Sequence, residues 1–537
     1  MAMWSLAGKK ILLIDDYGEM RSMLRKMLSG YGAEDISSTA TGEEAIELIG
    51  HNRFDIILCD YNLGDGKDGQ QVLEEVKHRG YITYSTVFIM ITAESTAFMV
   101  MGALEYQPDE YLSKPVTATV LQARLQKLLE KKEKFQALSK ALENKDHAKA
   151  IEQCDQQLIH HPRYRFELLK LKCEQLIELQ QFDAVRELCQ QVLADRDIPW
   201  ANMALGKIHF YNNEYEAAQT IFKQVIAHNE SYVAAYDWLS RTHLQLNDHR
   251  ASQKVLQQAV EWSPKSVQRQ RALAEASERN NDYHSAEEAR KKVVRVGKNS
   301  VLRQASDYAS LAKVLIKNNN SKEAFRFIDM IKREFKGDTE AALTAALTKE
   351  KIYRDSGDKK RAADAAQEAL TLFSELPAIS SSDLAIELTS ACLAHGKVDE
   401  AGQVVQQLVN NNHDDDQVLQ QISHIYKESG QEQTATLLLT QLRKEMVATN
   451  NQGVKLLNSG QVEESIGFFE KALGDAPNNP ALNINTAQAY LTLLKKGSNN
   501  ADRLQKTRNC LDLAHSEPKL RDRYQVLNKL YWEIANR

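Results

Sequence analysis

The first 115 residues alternate between short apolar runs and amphipathic stretches. Lys10 to Ile14, Ile56 to Cys59 and Thr86 to Ile91 are runs rich in branched side chains, and a shorter one spans Glu110 to Leu112. Unbroken runs of this length predict strands buried on both faces, as in a parallel sheet. Between them the period changes to that of a helix. Glu19 to Leu28 places Met20, Met23, Leu24, Met27 and Leu28 on one face, and Gly30 and Gly32 end it. Thr41 is a plausible cap for a second helix, Gln70 to Arg79 predicts a third, and residues 95–104, with Phe98, Met99 and Met101, a fourth. From Val116 to His161 there is no proline or glycine, while Leu121, Leu125, Leu128, Leu129, Phe135, Leu138 and Leu142 recur at helical spacing. The spacing predicts a helix that runs straight into the next domain, or a very tight joint. A continuous helix would transmit a shift, which a loose tether would not.

Beyond residue 135 the pattern repeats. Ala218, Ser252 and Ala286 are 34 residues apart, and each follows a ring by three positions: Tyr215, His249 and Tyr283. Phe222 and Leu256 lie four further on. Looser copies centre on Ala150, Val185, Ala324, Ala362, Ala401 and Ser465, with two more around Thr434-Ala435 and in the last sixty residues. The period resembles that of the tetratricopeptide repeat (TPR), a helical hairpin that buries its apolar face only against its neighbours. Leu520 to Arg537 reads as a capping helix, with Tyr524, Leu527, Leu530 and Ile534 on one side. Asn410 to Asn412 and the stretch from Pro377 to Ser382 read as long turns.

Composition agrees with a helical, multidomain chain. Its 537 residues hold only 9 prolines and 23 glycines. A net charge of −5, from 68 basic and 73 acidic residues, argues against a nucleic-acid footprint and a polybasic membrane signal. The six cysteines are scattered without metal-ligand spacing and read as reduced thiols of a cytoplasmic protein. No apolar run reaches eighteen residues, and Met1 to Leu6 is not a signal peptide. The repeat half holds no catalytic constellation.

The chemistry lies at the strand ends. If the strands are parallel, Asp15, Asp16, Asp60, Thr92 and Lys114 converge on one edge, where open α/β sheets bind ligands. Three carboxylates together need a counter-charge. A hard divalent cation such as Mg²⁺ supplies it, and a Thr hydroxyl and a Lys ammonium suit phosphoryl oxygens. The motifs Ile14-Asp15-Asp16, Asp60-Tyr61-Asn62, Asp68-Gly69, Ile91-Thr92-Ala93-Glu94 and Tyr111-Leu112-Ser113-Lys114-Pro115 follow in order. With them, residues 8 to about 128 resemble the receiver domain of two-component response regulators.

The resemblance implies an N-terminal α/β doubly wound, flavodoxin-like domain with a five-stranded parallel sheet, residues 1–128. An all-α TPR superhelix over 129–537 follows. It implies that Asp60 is the phospho-acceptor and that Asp15, Asp16, Asp60 and the Asn62 carbonyl hold Mg²⁺. Thr92 and Lys114 would contact the phosphoryl group, Tyr111 would be the switch aromatic, and Asn62 and Glu94 would tune dephosphorylation. The loop after Asp60 departs from the family: it lacks a proline and is one residue longer, with Gly64-Asp65-Gly66-Lys67 in its place. A histidine kinase or phosphotransfer protein is the expected phosphodonor, and a protein or peptide the expected ligand of the repeats. The face made by the fourth helix, last strand and fifth helix is where partners or a second receiver dock in such domains. No DNA-binding domain, membrane segment or separate catalytic domain is expected, only Mg²⁺-dependent phosphoryl acceptance and self-dephosphorylation. Two other readings are a phosphate sink or relay whose repeats only scaffold the kinase, and an RNA-binding regulator.

Overall fold

The computed structural model describes residues 4–93, 106–376, 379–412, 415–495, 497, 500–515 and 517–535. Glu94 and the helix expected over 95–104 lie outside the described residues. The chain forms two compact units, Met1–Asp307 and Tyr308–Arg537.

The N-terminal sheet contains β1 (Lys10–Ile14), β2 (Asp35–Thr39), β3 (Ile56–Asp60), β4 (Val87–Thr92) and β5 (Glu110–Ser113). The order is β2-β1-β3-β4-β5 and every pairing is parallel. Helices α1 (Gly18–Gly30), α2 (Gly42–His51) and α3 (Gly69–His78) follow the first three strands. Because strand side chains alternate, the apolar runs feed two cores. Ile11, Leu13, Ile56, Leu58, Ile89 and Ile91 face α1 and the helix Ala118–Lys134. Leu12, Ile14, Ile57, Cys59, Phe88 and Met90 face α2 and α3. β3 and β4 are buried throughout, whereas the edge strand β2, of sequence DISST, buries only Thr39. That polar edge strand leaves no apolar run in the sequence, so its existence followed only from the family resemblance.

The expected continuous helix does not form; the tight joint does. The helix Ala118–Lys134 stops at Phe135, and a separate helix, Gln136–Glu143, begins at the next residue. The break follows from a change of core. Leu121, Leu125, Leu128 and Leu129 pack under the sheet. Phe135, Leu138 and Ala141 instead pack into the first hairpin with Ala150, Cys154 and Leu168, and Tyr164 meets the Phe135 ring edge-on at 5.2 Å. One straight helix cannot point both apolar stripes at their own cores.

The repeats share one turn. Lys145, Gln180, Asn213, Asn247, Asn281 and Asn319 have positive φ, as do Gly357, Gly396, Gly430 and Gly460. Each stands five residues before a small or branched position: 150, 185, 218, 252, 286, 324, 362, 401, 435 and 465, all of them buried. A left-handed residue ends the first helix of each hairpin, a place that favours Gly and tolerates Asn. The small side chain then lets the second helix close on the first. Tyr215, His249 and Tyr283 are the first residues of second helices. In two hairpins the close approach is made by a glycine under a ring sixteen residues on, Gly206 against Phe222 and Gly453 against Phe469.

Two local expectations change. Asn410 to Asn412 are the last turn of the helix Val398–Asn412, because Asn411 and Asn412 donate side-chain amides to the carbonyls of Gln407 and Leu408 and extend it. Glu432–Asn458 is a single 27-residue helix that serves as the second helix of one repeat and the first of the next. The C-terminal helix Arg521–Ala535 buries Tyr524, Leu527 and Ile534 against the helix Pro480–Lys495, as a cap does.

Two glycines of one hairpin should respond oppositely to alanine. A Cβ at Gly453 overlaps the Phe469 ring, whereas one at Gly467 meets nothing within 4 Å. Gly467→Ala is expected to stabilise the protein by about 0.5–1 kcal/mol through helix propensity. Gly453→Ala is expected to destabilise it by about 1–3 kcal/mol through overpacking. Chemical denaturation of both variants checks this; a stabilised Gly453→Ala would contradict the packing described.

Candidate functional site

The site lies where the strand order reverses between β1 and β3. Ile14 pairs with Cys59, so Asp15 emerges beside Asp60. Asp15, Asp16 and Asp60 each offer a carboxylate oxygen, and these oxygens all lie within 4.8 Å of one another. Asp15 and Asp60 are buried, at 1% and 6% exposure, while Asp16 faces solvent. Lys114 follows β5 at a cis Lys114-Pro115 peptide. Its Nζ lies 3.0 Å from Asp15 Oδ2 and 2.8 Å from Asp60 Oδ2.

Burial pushes the Asp60 carboxyl above its ordinary range. The Lys114 hydrogen bond opposes that shift, Asp15 adds to it, and the Asn62 backbone N–H also opposes it. Lys114 shows the reverse balance: burial disfavours its ammonium, but Asp60 and Asp15 outweigh it and hold the pKa up. A hard oxygen donor set with more negative than positive charge fits a small divalent cation.

Thr92 ends β4, is buried, and pairs with Ser113; its carbonyl accepts the Lys114 N–H at 2.7 Å. Tyr111 is partly buried and packs on the α2/α3 side of the sheet with Tyr61 and Cys59. Burial raises its phenol well above the usual value. Asn62 is exposed, one residue past Tyr61. The structure thus brings Asp15, Asp16, Asp60, Thr92, Lys114 and Asn62 to one sheet edge, with Tyr111 on the strand before Lys114.

The loop from Tyr61 to Asp68 turns at Gly64 and Gly66, both with positive φ. The Glu43 carboxylate accepts the Lys67 N–H at 3.1 Å. Asp68 then opens α3 with a capping box: Oδ1 accepts the Gln71 N–H at 2.9 Å, and the Gln71 side-chain oxygen accepts the Asp68 N–H at 3.1 Å. Gly69 admits no side chain there, since a Cβ would strike the Asp60 carbonyl. The Asp68-Gly69 motif therefore fixes how close α3 comes to the acidic cluster.

Sequence reasoning missed the residues that meet this loop from far along the chain. Lys265 reaches Asp68, Asn299 reaches Gly66 and Ser300 reaches Glu74. Local sequence carries no signal for these contacts, which join positions about two hundred residues apart.

Residues 11–126 match the family model described as the response regulator receiver domain, and residues 209–295 match a tetratricopeptide repeat model. Over 122 residues the chain is 28% identical to the chemotaxis protein CheY of Pseudomonas aeruginosa, covering 23% of this chain and 97% of that protein. It is also 28% identical over 122 residues to CheY-3 of Vibrio cholerae, covering 23% of this chain and 92% of that protein. A CheY-like receiver domain structure from Methanospirillum hungatei JF-1 is 26% identical and covers 24% of this chain and 97% of that one, with a TM-score of 0.22. The chain carries a response regulator receiver domain of CheY type followed by tetratricopeptide repeats.

The raised Asp60 pKa has a consequence for stability. A carboxyl whose folded pKa exceeds its unfolded value stabilises the fold fully below the unfolded pKa. That contribution is lost as pH rises through the folded pKa. In metal-free protein, Asp60→Asn is therefore expected to raise the melting temperature at neutral pH and to raise it less as pH falls to about 4. Calorimetric melts in a chelating buffer test the sign; an equal shift at both pH values would show that Asp60 is not strained by ionisation.

Proposed function

We propose that this response regulator takes a phosphoryl group onto Asp60 from a histidine kinase or phosphotransfer protein. Residues 1–128 form the acceptor domain. Residues 129–537 form a repeat array that passes the signal on by binding a protein or peptide. The observation that carries the reading is the convergence of three carboxylate ends and one ammonium, from three strands, on a single point.

Asp15, Asp16, Asp60 and the Asn62 carbonyl would hold Mg²⁺, which when bound offsets charge on the phosphoryl oxygens and on the carboxylates themselves. The chain supplies the rest. An Asp60 oxygen forms the new bond to phosphorus, and the donor's imidazole departs with the electrons of the broken P–N bond. Lys114 now bridges Asp15 and Asp60, so it can turn toward a phosphoryl oxygen while keeping one carboxylate. The Thr92 hydroxyl, buried at the end of β4, takes another oxygen. Positioning and charge compensation are the whole of the catalysis.

The switch role falls to Tyr111, partly buried on the α2/α3 side of β5. Asn62 and Glu94 set how readily water removes the phosphoryl group. Nothing in the proposed chemistry calls for a separate catalytic domain. The cytoplasm is the compartment that suits six free, buried cysteines. Among the described residues no helix is long and apolar enough to cross a membrane.

Asp60→Asn is expected to reduce labelling by a small acyl phosphate to background, and removal of divalent cations to do the same. Label on Asp60→Asn at the wild-type level would place the acceptor elsewhere. Replacing Asn62 and Glu94 together with bulkier or basic residues is expected to lengthen the phosphoprotein lifetime by roughly tenfold, about 1.4 kcal/mol in barrier. An unchanged decay rate would remove both residues from the tuning role.

A further inference from the structure

The loop between Asp60 and α3 is braced from outside. Within the unit Met1–Asp307, Lys265 Nζ lies 2.8 Å from Asp68 Oδ2 and 5.0 Å from the centre of the Tyr61 ring. One ammonium thus bridges the residue that opens the loop and the residue that closes it. The middle of the loop is held by Asn299, whose Nδ2 donates to the Gly66 carbonyl at 2.6 Å, while the Lys67 ammonium donates to the Asn299 carbonyl. Further out, Gln71 Nε2 donates to the Val296 carbonyl at 3.3 Å, and the buried Ser300 hydroxyl donates to Glu74 at 2.7 Å.

Two contacts carry this brace inward. The Gly69 N–H donates to the Tyr61 carbonyl at 2.9 Å, and the Gly69 Cα lies against the Asp60 carbonyl, so the loop's ends are pinned to the acceptor strand. The Asn62 N–H favours the ionised Asp60 carboxylate, so the loop's own backbone acts on the acidic site. Loop shape and acceptor geometry are therefore one quantity. Gly66 and Lys67, in the middle of the loop, are what the array grips.

We infer that Lys265, with Asn299 beside it, is a positioning residue for the acceptor site: the repeat array sets the shape of the 61–68 loop and thereby the placement of the Asn62 backbone. This rests on the reading of Asp60 as acceptor and of the acidic cluster as a cation site. Lys265 reaches neither Asp60 nor a reacting group, so its action goes through Asp68 and Tyr61. Burial works against its ammonium, but Asp68 and Tyr61 outweigh that and keep it charged. Cation–π and ion-pair partners on opposite ends of one loop give a bridge that a neutral side chain of similar length cannot reproduce.

The test uses the full chain and the variants Lys265→Met, Lys265→Arg and Ser300→Ala. Ser300 touches α3 but not the loop, so it reports on docking of the array without the brace. Two readouts need no phosphodonor: hydrogen exchange of the 61–68 amides in metal-free protein, and Mg²⁺ affinity by titration calorimetry. Lys265→Met is expected to speed exchange in the loop and weaken Mg²⁺ binding by about tenfold, the lower end of what outer partners of metal ligands supply. Lys265→Arg should restore both, and Ser300→Ala should leave both within about twofold of wild type. Wild-type exchange and Mg²⁺ affinity in Lys265→Met would overturn the inference, as would a Ser300→Ala protein that behaves like Lys265→Met. Acyl phosphate labelling of wild type and Asp60→Asn runs alongside. Equal labelling there would sink the acceptor assignment while leaving the loop brace to be judged on exchange and Mg²⁺ binding.

Discussion

The ammonium of Lys114 between Asp15 and Asp60 is the contact on which the N-terminal domain turns. Buried carboxylates at adjacent strand ends repel, and burial raises the cost of ionising Asp60. Lys114 offsets part of that repulsion, and it can do so only because β5 runs parallel to β4 and ends at the same edge. Asp15 reaches Asp60 only because β1 is the neighbour of β3. The strand order β2-β1-β3-β4-β5 is thus the arrangement that assembles this charge pattern. The pattern remains undercompensated, three carboxylates against one ammonium. A donor set left in that state fits a small divalent cation.

The helical half rests on a different constraint, closeness of backbones. In ten hairpins a left-handed residue stops the first helix, and a buried residue five positions later lets the second helix return against it. Where the ring packs nearest, the facing position becomes glycine, as at Gly206 and Gly453. These are local rules, so the same hairpin can be built repeatedly from dissimilar sequences. The fused helix Glu432–Asn458 keeps the left-handed turns at Gly430 and Gly460 and loses only the turn between two hairpins: from Glu432 to Gln452 there is no glycine or proline to stop it.

What could be read from the sequence follows from the range of the forces involved. Buried strands, the amphipathic helices and the repeat period are local patterns, and the positions 150, 185, 218, 252, 286, 324, 362, 401, 435 and 465 all proved buried as their spacing demanded. The convergence of Asp15, Asp16, Asp60 and Lys114 was legible because each stands at or just past a strand end, and parallel strands bring their ends together. β2 was not, because an edge strand needs no apolar run. The joint at Phe135 was half legible: absence of proline and glycine told that no loose linker exists, but not that two cores pull the helix apart. Lys265 and Asn299 were invisible, because a contact across two hundred residues leaves no mark near either end.

That last class of contact changes where coupling between the halves should be sought. A rigid helix from Tyr111 into the first hairpin would have carried motion along the chain, but Phe135 ends it, and the helices on either side answer to separate cores. The contacts at Asp68, Gly66 and Glu74 act across the chain instead, at the loop and helix that follow Asp60. Binding equilibria linked through one element are reciprocal: whatever the loop gains from the array, the array gains from the loop. A ligand that shifts the 265–300 segment and a cation held by the acidic site would therefore change each other's affinity by one factor. A coupling of about 1–3 kcal/mol suffices for roughly five- to 150-fold regulation. The brace acts on the loop that directly follows Asp60, whereas the helix break at Phe135 lies beyond the receiver core.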